Sequence, residues 1–141
     1  MTMRQRRSVT GVSLLVGLGL VILMGTALMG RATGAQGVIR IELIAQQMTF
    51  RQRDAADPSQ WLDNPTLMVR TGETVELVLR NRDAGMKHDL TIAELGLKTR
   101  MTYFGDTVVL RFTAPQPGTY IYLCSIHPRL MRGRLIVESR S

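Results

Sequence analysis

Cys124, the only cysteine of this 141-residue chain, is followed three positions on by a histidine and four further by a methionine, in the run Cys124-Ser125-Ile126-His127-Pro128-Arg129-Leu130-Met131. A thiolate, an imidazole and a thioether within eight residues make a soft donor set. That set suits copper more than calcium or magnesium, which prefer oxygen. A trigonal site needs a second imidazole, and the chain holds one other histidine, His88. The whole inventory of Cys and His is therefore expected to converge on one ion, with His88, Cys124, His127 and Met131 as ligands. A single cysteine permits no intramolecular disulfide and excludes the thiolate-bridged kind of dinuclear copper centre, which needs two. A Cys–His hydrolase requires a third group to orient the imidazole, and a substrate cleft. The sequence marks neither, so no enzyme is expected.

These residues need a scaffold that holds distant parts of the chain together. From Gly37 onward the apolar residues alternate with polar ones. Val38, Ile39, Ile41, Leu43 and Ile44 interleave with Arg40 and Glu42, as in a half-buried strand, and a stretch at 48–51 extends it. Residues 52–65 are rich in Asp, Asn and Pro and read as a loop anchored by Trp61. Further strands are expected at 66–70, 74–80 (with Val75, Leu77 and Leu79 on one face), 88–93, 107–113, 119–124 and 132–138. Turn signals at Thr71-Gly72-Glu73 and Pro115-Gln116-Pro117-Gly118 separate some of them. No helical period of useful length follows residue 37. About seven or eight short strands predict an all-β, two-sheet antiparallel sandwich. Cys124 then ends one strand, with His127 and Met131 in the loop to the next, and His88 follows the 81–87 loop. Trp61, Tyr120 and Tyr122 are expected to serve as core or loop anchors.

The pieces Gly85-Met86-Lys87-His88-Asp89, Thr113-Ala114-Pro115, Pro117-Gly118-Thr119-Tyr120 and Cys124-x2-His127-x3-Met131-Arg132-Gly133 resemble the corresponding segments of the cupredoxins, the family of plastocyanin, amicyanin, pseudoazurin and azurin. The resemblance spans residues 38–138. It implies a cupredoxin-like Greek-key β-sandwich, one type 1 copper ion held by His88, Cys124, His127 and Met131, and one-electron transfer. It also implies that the His127 ring edge reaches the surface through an apolar patch. Met86, Ile126, Pro128 and Leu130 are candidates for that patch and Arg129 and Arg132 for its charged rim, which would favour a redox partner with an acidic docking face. Two departures stand out. Three residues separate His127 from Met131, a gap between the amicyanin-like and plastocyanin-like loops. Asp89 replaces the Asn that many members carry beside the first histidine ligand, so the hydrogen bond that Asn makes across the ligand loops is expected to be altered or absent.

The net charge of +7, from 18 basic and 11 acidic residues, looks like a nucleic-acid signature until it is located. Arg4, Arg6, Arg7 and Arg31 flank an apolar run, and the remaining 14 basic residues are scattered among Asp and Glu, the pattern of a solvated surface. No nucleic-acid partner is expected. Residues 8–30 carry no charge. As a helix they would reach about 35 Å, enough to cross a hydrocarbon core of about 30 Å. The arginines before them predict a cytoplasmic N-terminus and an extracytoplasmic, periplasmic domain. The competing reading is a cleaved secretory signal ending at Thr33-Gly34-Ala35, although the apolar run exceeds the usual signal core of about 7–15 residues. The expected division is therefore residues 1–35 as membrane anchor or signal and residues 36–141 as the copper-binding domain. A copper-delivery or copper-storage module, which binds the metal without passing electrons, is the alternative function from a different class.

Overall fold

The computed structural model describes residues 37–140, and the expected anchor or signal segment lies outside the described residues. Ten strands form two five-stranded sheets. The first sheet holds β1 (Val38–Gln46), β2 (Thr49–Arg53), β3 (Trp61–Asp63), β5 (Thr74–Asn81) and β8 (Thr107–Thr113), in the order β3-β2-β1-β5-β8. The second is built from β4 (Thr66–Arg70), β6 (Thr91–Ile92), β7 (Leu97–Lys98), β9 (Gly118–Leu123) and β10 (Arg132–Glu138), in the order β4-β10-β9-β6-β7. Among the described residues no helix is long and apolar enough to cross a membrane.

The alternation in the sequence sets which face each strand buries. Ile41, Leu43 and Ala45 of β1, Val75, Leu77 and Leu79 of β5, and Leu110 of β8 face Leu67 and Val69, Leu135 and Val137, and Tyr122 of the opposite sheet. The rings of Phe50 and Tyr122 meet across this core at 5.5 Å. Val78 points the other way and is nonetheless fully buried. Its neighbours on the outer face form the ion pairs Arg40–Glu76, Arg111–Glu76 and Arg80–Glu42, whose long stems cover it. Ile44 also faces outward, beside Arg51, Arg53 and Trp61.

Several expectations are corrected here. Among the described residues the strands number ten rather than seven or eight, and the sheets are mixed rather than wholly antiparallel, because β1 pairs parallel to β5 and β4 parallel to β10. The 52–65 loop contains β3, which begins at Trp61. That ring lies beneath the Arg53 guanidinium at 3.8 Å, outside the core. The expected strand at 88–93 shrinks to Thr91–Ile92. Asp89 is diverted to Ser125, the Leu90 N–H is taken by the Thr99 hydroxyl, and a 3-10 turn at Ala93–Leu95 ends the run. Tyr122 is the core anchor expected, and Tyr120 closes the 115–118 turn by donating to the Gln116 carbonyl.

Candidate metal centre

Three connections meet at one end of the sandwich: the segment after β5, the segment before β8, and the loop between β9 and β10. Each is locked before any side chain reaches the centre. Cys124 and Met131 close the β9–β10 loop, with the Cys124 N–H donating to the Met131 carbonyl at 3.0 Å. Inside the loop the His127 N–H donates to Cys124 and the Met131 N–H to His127, so the chain turns twice within eight residues. His88 is held by a bridge to Thr102, with both backbone bonds formed and the Thr102 hydroxyl also donating to the His88 carbonyl. The buried Asn81 side chain donates to the Met86 and Thr102 carbonyls, fastening both flanks of that bridge. Asn64, in a left-handed conformation (φ 47°), accepts from the Phe50 N–H and donates to the Leu130 carbonyl, tying the ligand loop back to β2.

The structure brings His88, Cys124 and His127 together. Cys124 Sγ lies 3.8 Å from His88 Nδ1 and 3.7 Å from His127 Nδ1, and all three donor atoms fall within 4.8 Å of one another. These distances fit a shared ion. Bonds of about 2.3 Å to sulfur and about 2.0 Å to nitrogen, 120° apart, would set those atoms about 3.7 Å from each other. Cys124 and His88 are fully buried and His127 is half-buried. Met131 is fully buried, with its backbone bonded to both Cys124 and His127.

The surroundings prepare these donors. Burial lowers the His88 pKa, and the Asp83 carboxylate beside its Nε2 only partly offsets this, so the ring is neutral and has a lone pair to give. Burial pushes the Cys124 thiol up, so an ion must displace its proton to gain the thiolate. Burial also works against the Asp89 charge, but the Ser125 hydroxyl and N–H and the Lys98 ammonium outweigh it and hold that carboxyl below its ordinary range. Asp89 therefore does make the cross-loop link, to Ser125 and with a charge in place of an amide.

Around His127 the exposed Ile126 and Leu130 join Pro128 and Arg129 in a shallow hollow. Met86 lines a different hollow, with Gly85, Lys87, Tyr103 and Phe104. Arg132 does not rim the His127 patch. It lies on the outer face of the second sheet, in a groove with Asn64, Thr66 and Arg134, because Leu135 and Val137 take the inner face of β10. Sequence reasoning missed Asp83, Asn64, Tyr103 and Phe104. The exposed aromatics sit in the 99–106 stretch, which has no alternation, and Asp83 and Asn64 look like ordinary loop residues until the fold gives them partners.

A sandwich with two imidazole nitrogens flanking a buried thiol at one end defines the mononuclear copper-binding class. A sequence model described as Cupredoxin-like domain matches residues 58–137, and the chain belongs to that family. Auracyanin-A of Chloroflexus aurantiacus is 28% identical to it, over 54% of this chain and 66% of that relative, so the chain spans just under two thirds of the relative's length. The solved structure of auracyanin A from the same bacterium, titled a "blue" copper protein, superposes with a TM-score of 0.55 at 22% identity, covering 72% of this chain and 100% of that one. A copper-containing nitrite reductase from Thermus scotoductus shares the fold at 24% identity and a TM-score of 0.54, over 74% of this chain but 28% of its own.

Proposed function

We propose that this chain carries single electrons through one type 1 copper ion, which His88, Cys124 and His127 would hold with Met131 as a weaker fourth ligand. The observation that carries the reading is the placement of both Nδ1 atoms within 3.8 Å of Cys124 Sγ in a site locked by backbone bonds on every connection. When bound, copper supplies a centre that accepts and returns one electron. The chain's part is to keep the donors fixed, so that little rearranges when the charge changes, and to exclude water from the sulfur. His127, half-buried among Ile126, Pro128 and Leu130, offers the shortest path to the surface. The description of auracyanin A as a blue copper protein supports the same chemistry.

The rival reading is copper delivery or storage, and it predicts a different response to Cu(II). An electron carrier turns intensely blue from thiolate-to-copper charge transfer and gives reversible voltammetry. A delivery module prefers Cu(I), gives little colour and loses its metal to an acceptor. A colourless Cu(II) form with irreversible voltammetry would falsify the carrier reading.

Location and partners belong to the same proposal. The uncharged 8–30 run, with arginines before it, supports a membrane anchor that leaves the copper domain on the extracytoplasmic face. Redox partners would be membrane-bound or would present an acidic face to Arg129. Sequencing the N-terminus of the mature protein tests the anchor, since a start at Gln36 means that the segment has been removed.

A further inference from the structure

We propose that Asp83 is a positioning residue for the metal centre, fixing the tautomer of His88 and lowering the reduction potential by placing a carboxylate behind that ligand. This rests on the copper-carrier reading and adds to it a residue that sets the driving force of transfer.

The His88 ring has one nitrogen on each side of the question. Nδ1 faces Cys124 Sγ at 3.8 Å, and Nε2 lies 3.1 Å from Asp83 Oδ2. A carboxylate accepts only, so the proton sits on Nε2 and the Nδ1 lone pair is left free for the ion. The ring is fully buried, and no other side chain among the described residues bonds Nε2.

Asp83 is itself held by two further bonds. Its N–H donates to Asn81 Oδ1 at 2.9 Å, and the same Oδ2 that meets His88 accepts the Met48 N–H at 2.8 Å. Met48 and Gln47 form the two-residue turn between β1 and β2, both in the left-handed region (φ 57° and 55°) that such a turn requires and that glycine or asparagine usually fills. One carboxylate oxygen thus fastens an unfavourable turn and orients a ligand ring. The tip of the first hairpin becomes part of the metal site's support.

A backbone carbonyl in this place would select the same tautomer. The carboxylate adds a full negative charge, only partly exposed to solvent, about one ring's width behind the donor atom. That charge raises the basicity of the ligand and favours the more positive oxidation state of the ion. Neutralising it should shift the ratio of Cu(II) to Cu(I) affinity by about tenfold, the low end of what outer partners of metal ligands contribute. For a one-electron couple tenfold corresponds to about 59 mV.

The experiment uses the full chain in detergent, with Asp83→Asn and Asp83→Ala beside the wild type. Asp83→Asn keeps the shape and offers Oδ1 to the same donors without the charge, so a rise in midpoint potential of about 59 mV with the blue band retained supports the proposal. Imidazole nitrogen NMR of the metal-free protein reads the tautomer directly: Nε2–H in the wild type, and a mixture in Asp83→Ala. Unchanged potential in Asp83→Asn overturns the charge effect, even if both variants lose stability, since a residue that only pinned the hairpin would give that result. An unchanged tautomer in Asp83→Ala overturns the positioning role. A wild type that binds copper without turning blue sinks the carrier reading instead, and the NMR on metal-free protein still decides the role of Asp83.

Discussion

The Asp89 carboxylate accepts two hydrogen bonds of 2.6 Å from Ser125, one from the backbone N–H and one from the hydroxyl, and so joins the residue after His88 to the residue after Cys124. Two ligands 36 positions apart in sequence are thereby fixed relative to each other by one side chain. Lys98, half-exposed, adds an ammonium at 3.2 Å that balances the buried charge. Asp89→Ala removes the acceptor from two donors at once, and an unsatisfied buried donor costs about 1–3 kcal/mol. A loss of about 3 kcal/mol is expected in urea unfolding of the metal-free protein. Asp89→Asn keeps one acceptor and should lose less than half as much. Equal losses in the two variants would mean that the charge, and not the cross-loop bonds, carries the effect.

Below the site, Tyr122 and Gly133 face each other across β9 and β10. The Tyr122 hydroxyl donates to the buried Pro65 carbonyl at 2.6 Å, and burial holds its pKa well above the ordinary tyrosine value. A Cβ at Gly133 would land on the ring edge and hydroxyl of Tyr122. Tyr122→Phe should cost about 1–2 kcal/mol, because the buried Pro65 carbonyl loses this donor. Gly133→Ala should cost more, about 3 kcal/mol, since a fully buried ring has nowhere to move. The two are coupled: alanine at 133 should be less damaging in the Tyr122→Phe background, where part of the overlap is gone. Simple additivity in a double-mutant cycle would contradict the contact.

Copper should stabilise a domain that is already folded. The core of Leu, Val, Phe and Tyr residues is continuous across both sheets, and the ligand loops are closed by protein hydrogen bonds alone. The metal-free chain should therefore unfold cooperatively. A ligand at a thousand times its Kd adds about 4 kcal/mol, which in a domain of about 100 residues raises Tm by more than about 15 °C. Cys124→Ser should abolish that shift and the blue colour while leaving the metal-free Tm within a few degrees. A metal-free protein with no thermal transition would show that the fold depends on the ion.

The parts of this site that were legible in the sequence are those carried by residue type. Cys124, His127 and His88 stand out because the chain has so few such residues, and the inner face of β5 follows from the alternation of Val75, Leu77 and Leu79. What stayed hidden depends on pairing between distant strands. The parallel partnership of β1 with β5 leaves no local mark, because period-two alternation is the same whichever way the neighbour runs. Asp83 and Asn64 acquire their roles only when the loops meet β1–β2 and the ligand loop. Arg132 was misplaced for a related reason. Its closeness to Met131 in sequence says nothing about which face of β10 it takes, and the burial of Leu135 and Val137 decides that.

The separation of Arg129 from Arg132 gives the partner proposal a sharp test. Arg129 lines the hollow that exposes His127, whereas Arg132 lies on the outer face of the second sheet with Thr66 and Arg134. If electrons leave through His127 to a partner with an acidic face, a charge beside that ring enters the encounter at short range and a charge in the other groove does not. Arg129→Glu should then lower the second-order rate of electron exchange several-fold at low ionic strength. The effect should fade as salt rises past about 0.1 M, where the screening length falls to about 10 Å. Arg132→Glu should change the rate far less, and neither variant should move the midpoint potential or the blue band. Equal slowing by both would place the docking face over the second sheet, and rates insensitive to both charge and salt would remove the acidic partner altogether.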